Sequence, residues 1–372
     1  MPTTPVDYFV RPTNGDNSND GLSHANAWQT TQYALDNITR NTSSGDRINV
    51  CSEATDDITA TLDSSTYGSS ASLAAPLIIQ GYTTSPQDGG IGAIDGGGSA
   101  ANIWYDTTFQ GIHFYDMTLS GCTGAGIRPY HYSAIINCTL EDIGGSGIPY
   151  SLAKYNTYAF NTVRCVGGYG IYGNQSTHFL NNYVEVSGTG GWGIYQAGGC
   201  CCAMYNTIVM THASPNAGIS VVPLGGTAIC NSIYHSGSPS GKGLRTAYFS
   251  QSIVAGNLIE GFATGVEMGS TDAYTMVRNN AAFNCTTPFD ASEEDFWLSP
   301  VPLADFDNQT LAASPFRDAA SGDFRPTAQS MSLGGWPTQH PNIGTLTRYY
   351  KGAIQPGGAP IIGGARRGGR AA

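Results

Sequence analysis

Charge is scarce in this 372-residue sequence: only 12% of residues are Asp, Glu, Lys or Arg, and lysine occurs at just three positions, 154, 242 and 351. Without Glu and Lys to build them, long surface helices are not expected. Cations are outnumbered by carboxylates, giving a formal net charge of −11. That balance excludes a nucleic-acid groove over the main body. No apolar run reaches the length of a bilayer span, so no segment is expected to cross a membrane as a helix. The start, Met1-Pro2-Thr3-Thr4-Pro5-Val6-Asp7, has neither a basic stretch nor an apolar one. It lacks the marks of a secretory signal and reads as the native start of a protein made in the cytoplasm. The 9 cysteines form no Cys-x-x-Cys pair of zinc spacing. The run Cys200-Cys201-Cys202 points its side chains to alternate faces of a strand and cannot ligate one metal from one side. Most of these thiols are expected to be small apolar core residues.

What the chain does have is glycine, 49 of them, together with frequent Asn, Ser and Thr among Val, Ile and Tyr. Short strands joined by tight turns follow from such a mixture. Two anchors recur. One is glycine before an aliphatic residue: Gly126-Ile127, Gly147-Ile148, Gly170-Ile171, Gly193-Ile194, Gly218-Ile219, Gly243-Leu244 and Gly265-Val266, spaced by 21 to 25 residues. The other is asparagine leading into an apolar strand, at Asn137, Asn161, Asn182, Asn206, Asn231 and Asn257, with Asp116 as an earlier copy. The anchors keep phase, which marks a solenoid. A coil of this length suits three short strands and their turns, and stacking the coils gives an all-β, right-handed parallel β-helix with an apolar interior. Glycine is expected to supply unusual backbone angles at its anchor. The asparagines are expected to hydrogen-bond from coil to coil as a structural column.

A solenoid needs its ends covered. Residues 1–50 read as an N-terminal cap: strand Tyr8-Phe9-Val10, a polar loop, an amphipathic helix over Ala25–Asn37 with Trp28, Tyr33, Ala34 and Ile38 inward, then a first strand ending at Val50. Coils occupy 51–289, an irregular C-terminal cap 290–356, and a Gly/Arg-rich tail 357–372 carrying Arg366, Arg367 and Arg370. The segments Tyr8-Phe9-Val10, Asn17-Ser18-Asn19-Asp20-Gly21, Ala27-Trp28, Ala34-Leu35 and Gly45-Asp46 resemble the opening of pectate-lyase-like parallel β-helix proteins. Ser314-Pro315-Phe316, Gly322-Asp323-Phe324-Arg325-Pro326 and Gly352-Ala353-Ile354-Gln355 are similar to the closing part of the same group, which also includes phage tailspike and other virion proteins. The resemblance implies the fold; because the superfamily spans lyases, hydrolases, epimerases and non-catalytic surface proteins, it leaves the function open.

Chemistry has three candidate places. Lyases of this fold set a basic residue for proton abstraction beside Arg or Ca²⁺. Counting back from the asparagine anchors puts His131 and Tyr155 in one column, with Lys154 beside them and Arg128 on an adjoining coil. The only carboxylates nearby are Glu141 and Asp142, and no column of aspartates of the hydrolase kind is legible. The second place is aromatic: Tyr169 over Trp192 and Tyr172 over Tyr195, with Tyr150 one coil earlier and Gln175 and Gln196 alongside, a surface suited to sugar rings. The third is the loop Asp16–Gly21, which has oxygen ligands for Ca²⁺ but lacks the closing glutamate of an EF-hand, so turn and capping roles are the expectation. No other cofactor is indicated. The leading functional reading is a non-enzymatic structural or adhesive protein of an assembly, a phage virion decoration, fibre or spike protein with glycan contact, whose basic tail attaches to other subunits. The alternative is a secreted or cell-surface protein, foremost a polysaccharide lyase acting on an acidic polymer. Enzyme activity is left open.

Overall fold

The computed structural model describes residues 5–64, 67, 75–105, 110–149, 152, 154–222, 225–246, 252–269, 275–291, 308–327, 339–340 and 344–345. The chain winds as a right-handed parallel β-helix with three sheets. Sheet 1 has 11 strands, from Val6–Val10 to Met276–Arg278; sheet 2 has 11, from Thr55–Asp57 to Gln309–Thr310; sheet 3 has 6, from Tyr169–Gly173 to Thr287–Ala291. One coil shows the path: Thr157–Ala159 in sheet 1, Thr162–Cys165 in sheet 2, Tyr169–Gly173 in sheet 3. Each strand then pairs in parallel with its counterpart one coil on. Inward Ile, Val, Leu and Phe from all three sheets form one continuous apolar core.

Two corners are turned by single residues in the left-handed region. Between sheets 1 and 2 these are Asp116, Asn137, Phe160, Asn181, Tyr205, Cys230, Gly256 and Asn279, with φ from 53° to 67°. Ahead of sheet 1 they are Gly111, Tyr132, Tyr155, Ser176, Cys200 and Gly225. A side chain larger than glycine costs roughly 1–2 kcal/mol in this conformation, so each tyrosine there is a tolerated strain.

The buried asparagine column begins one residue after the first corner, at Asn161, Asn182, Asn206, Asn231, Asn257, Asn280 and Asn308. Each amide oxygen from Asn182 onward accepts both the backbone N–H and the side-chain N–H of the asparagine one coil before. Each amide nitrogen also donates to a carbonyl of a sheet 1 strand in the preceding coil, as Asn206 does to Phe179 at 3.0 Å. Asn137 is not a member: it is the left-handed corner itself, and Cys138 holds the ladder position, its N–H donating to Asn161 Oδ1. The Asn137 anchor therefore runs one residue out of register with those that follow.

The glycine anchors need correction too. None of Gly126, Gly147, Gly170, Gly193, Gly218, Gly243 and Gly265 has a positive φ. They are glycine for lack of room. A Cβ at Gly193 would collide with Ile208 Cγ2 and with the Gly218 carbonyl, and the same conflict recurs at Gly147, Gly170, Gly218 and Gly243. The missing side chain lets an aliphatic group from sheet 2 fill the interior beneath sheet 3.

At the N-terminal end the helix is shorter than its periodicity suggests, Thr31–Asn37, because Thr30 caps it by accepting the Tyr33 N–H. Trp28 lies in an extended rung instead, bridged to Val10 and stacked on Tyr8 at 5.5 Å. Asp16, Asn17 and Asp20 spend side-chain oxygens on the backbone N–H groups of Ser18, Gln29 and Leu22. Six cysteines, 51, 122, 138, 165, 201 and 230, are buried, and burial pushes the Cys122 and Cys201 thiols up to about 11 and those of Cys138 and Cys165 up to about 12.

Near the C-terminal end, residues 311–327 lie across the outer face of sheet 2. Leu311, Phe316, Ala319 and Phe324 pack on Val209, Leu258 and Ala281. Glu260 is caught under this strap, accepting the Ser314 hydroxyl at 2.6 Å. Desolvation raises its pKa despite that bond. A carboxyl with a raised folded-state pKa contributes stability below its unfolded value and loses it as pH climbs through the folded one. Glu260→Gln is therefore expected to melt higher than wild type at pH 7, with the gap closing toward pH 4, near the ordinary glutamate value. A thermal melt at both pH values checks this; equal melting points at pH 7 contradict it.

Candidate functional site

In sheet 3 the residue before each anchor glycine and the residue two after it face outward. Register then builds two rows along the solenoid. One runs Tyr169, Trp192, Ala217, Lys242, Thr264, Thr287; the other runs Tyr172, Tyr195, Ser220, Arg245, Glu267, Asp290. Upstream, Ile148 pairs with Ile171 and Tyr105 with Arg128, which carries the second row back through Pro149 to Arg128. With coils about 4.8 Å apart, Arg128 and Arg245 stand roughly 24 Å from each other along this row.

The centre of the face is a cluster of four rings. Tyr172 and Tyr195 stack at 5.4 Å with an interplanar angle of 14°. Tyr169 meets both of them edge-on, and Trp192 meets Tyr195 edge-on at 4.9 Å. Such ring pairs contribute about 0.5–1.5 kcal/mol each beyond their burial. The expected Tyr172–Tyr195 pair is thus formed, whereas Tyr169 and Trp192 share a row but each packs against Tyr195. Tyr172 is buried; Tyr169, Trp192 and Tyr195 keep part of their surface open. Gln196 does not flank the rings: it is fully buried and donates to the Thr227 carbonyl. Tyr150 lies outside the described residues, as do Arg366, Arg367 and Arg370 of the tail.

Two coils beyond the rings come cations. Lys242 Nζ is 3.3 Å and Arg245 Nε 3.2 Å from Glu267, one coil further. A single carboxylate shared by two cations leaves most N–H donors of the guanidinium and ammonium available. Between rings and cations, Ser220 is buried with an unpartnered hydroxyl. Sequence reasoning singled out the rings and missed this continuation. The signal was present, since Lys242 and Arg245 flank Gly243 as Trp192 and Tyr195 flank Gly193.

The basic group of Arg128, His131 and Lys154 assembles differently from expectation. Tyr155 stacks on Tyr132, at 5.2 Å and 7°, and His131 pairs instead with Lys154, whose backbone N–H donates to His131 Nδ1 at 2.9 Å. The one-residue slip comes from counting back from Asn137. Burial and the Lys154 charge lower the His131 pKa and favour its neutral form. Arg128 lies over the Tyr105 ring, 4.5 Å from its centroid, at the head of the sheet 3 rows rather than against Lys154.

A carboxylate column does exist, on the outer face of sheet 2. Asp57, Asp95, Ser120 and Glu141 are in register on successive coils, and Arg164 then bridges Glu141 and Glu185 at 3.7 and 3.4 Å. A shallow cavity lined by Asp142, Arg164, Glu185 and Ser187 opens there. The long excursion between Asp57 and Asp95 hides this alignment from any fixed period.

No protein-family model matches the sequence, and no curated protein matches it. Solved structures do match. The crystal structure of pectate lyase Pel9A is similar over 95% of this chain and 97% of that one, at 14% sequence identity and a TM-score of 0.53. A lacto-N-biosidase from Eubacterium ramulus, of the group GH136, covers 83% of this chain and 67% of its own at 12% identity, TM-score 0.38. The deglycosylated pectin methylesterase from Aspergillus niger covers 83% and 98% at 12% identity, TM-score 0.38. The first of these shows the fold: the chain is a pectate-lyase-like right-handed β-helix.

Proposed function

We propose that the protein binds an acidic polysaccharide along the outer face of sheet 3. The observation that carries this is the in-register passage from the four-ring cluster to Lys242 and Arg245, about 10 Å from Tyr195 to Arg245. Aromatic rings take the apolar faces of sugars, and cations within a few sugar units of them take carboxylates. Arg128 supplies a further cation at the other end of the rows. The likeness to a pectate lyase supports an acidic polymer as the ligand class.

Binding is tested by electrophoresis through gels containing acidic or neutral polysaccharides, polygalacturonate among them. Trp192→Ala with Tyr195→Ala is expected to abolish retention on the acidic polymer while the circular dichroism of the fold is kept. Lys242→Ala with Arg245→Ala is expected to weaken retention and flatten its dependence on salt. Retention that survives both pairs of changes sinks the proposal.

A lyase is the second reading, favoured by the meeting of Lys154 and His131 on adjoining coils, where the Lys154 backbone N–H donates to His131 Nδ1. Ultraviolet absorbance from unsaturated uronates, lost in Lys154→Ala, is its signature in the same assay. The virion reading draws its support from the sequence alone, since the tail on which it rests lies outside the described residues.

A further inference from the structure

The corner ahead of sheet 1 turns through the left-handed region at Gly111, Tyr132, Tyr155, Ser176, Cys200 and Gly225, and four of these six residues are small: Gly111, Ser176, Cys200 and Gly225. Two consecutive coils put tyrosine there instead, Tyr132 and Tyr155, at φ 57° and 60°. Burial does not account for the choice, because Tyr155 is 50% exposed. The two rings stack almost parallel, and the stack ends at Gly111 on one side and Ser176 on the other. Neither flanking position carries a ring, so neither continues the stack along the column.

Polar groups converge on the same corner. His131 Nδ1 accepts the Lys154 backbone N–H, which leaves Nε2 of the neutral ring as a donor. The Tyr130 ring lies 3.9 Å from the imidazole centroid and holds it in place. Arg128, three residues earlier in the chain, joins this corner to the rows of sheet 3.

We infer that Tyr132 and Tyr155, with His131 and Lys154, form a second saccharide subsite at the corner between sheets 3 and 1. It takes an anionic sugar unit by stacking on the tyrosine pair, with the Lys154 ammonium for its carboxylate and the His131 Nε2–H for a ring hydroxyl. This rests on the reading of sheet 3 as a polysaccharide face, and adds that the bound polymer, or a branch of it, turns across the solenoid near Arg128 instead of only following its axis.

The test uses Tyr132→Gly with Tyr155→Gly. Glycine is at ease in the left-handed region, so this variant removes both rings while relieving the backbone. Its melting temperature is expected to equal or exceed that of wild type, and its affinity for the acidic polysaccharide to fall about tenfold or more. Unchanged affinity in the glycine variant, with affinity lost in Trp192→Ala/Tyr195→Ala, overturns the corner subsite and leaves the sheet 3 face standing. A drop in melting temperature with unchanged affinity assigns the pair a purely structural role and overturns it as well. Wild-type protein that binds no acidic polysaccharide overturns both readings together.

Discussion

Asn206→Ala is expected to lower the unfolding free energy by about 3–5 kcal/mol, since removing one amide strands several buried partners at once and each costs roughly 1–3 kcal/mol. The backbone N–H and the side-chain amide of Asn182 lose their acceptor at 2.9 Å, the Phe179 carbonyl loses its donor, and Asn231 Oδ1 loses one of its two donors, keeping only the backbone N–H of residue 206. All of these asparagines are at most 1% exposed, so water does not replace what is lost. Denaturant unfolding followed by circular dichroism measures the change. The contrast is Asn137→Gly. This residue occupies the corner at φ 55°, is exposed, and its side-chain amide donates to Asp116. Glycine adopts that conformation freely, so the cost should stay within about 1 kcal/mol. Equal losses at the two positions contradict the assignment of the ladder to the residue after the corner.

Gly193→Ala is expected to destabilise by about 1–3 kcal/mol, the range for forcing extra volume into a packed interior. Its added methyl would meet Ile208 Cγ2 on the inner side and the Gly218 carbonyl in the next coil. Neither can retreat, because Ile208 is fully buried in the core and Gly218 is tied into the ladder of sheet 3. Gly167→Ala is the control. A Cβ there meets only the Gly144 carbonyl, 3.9 Å away, and should change stability by no more than about 0.5 kcal/mol. A Gly193→Ala protein as stable as wild type would show that sheet 3 yields where the packing says it is tight.

Both expectations bear on what a repeat discloses. The period of the Gly and Asn anchors was enough to specify a three-sided solenoid, because stacked coils must repeat whatever residue a tight place demands. It also put Tyr172 on Tyr195, since rows in sheet 3 follow the anchors without slippage. What fails is the inference of cause from residue type. Glycine is usually read as freedom of the backbone, yet here it marks the absence of space, and space is a property of the neighbouring sheet.

The candidate site divides in the same way. The aromatic half was legible because rings are conspicuous beside the Gly-Ile anchor. Its cationic half at Lys242 and Arg245 was legible in principle, through the same offsets. The stack of Tyr155 on Tyr132 was not, because coil lengths vary and a count taken from Asn137 is one residue out.

The sequence by itself determined the solenoid, its parallel strands, its inward apolar positions and the aromatic row, since each follows from a local pattern repeated from coil to coil. Only the tertiary structure decided which residues share a row where the period breaks. Asp57 meets Asp95 across a long excursion, and residues 311–327 close over Glu260 from far along the chain. Those contacts join segments whose separation in sequence follows no repeat, so their partners are chosen by packing in three dimensions and leave no periodic trace in the chain.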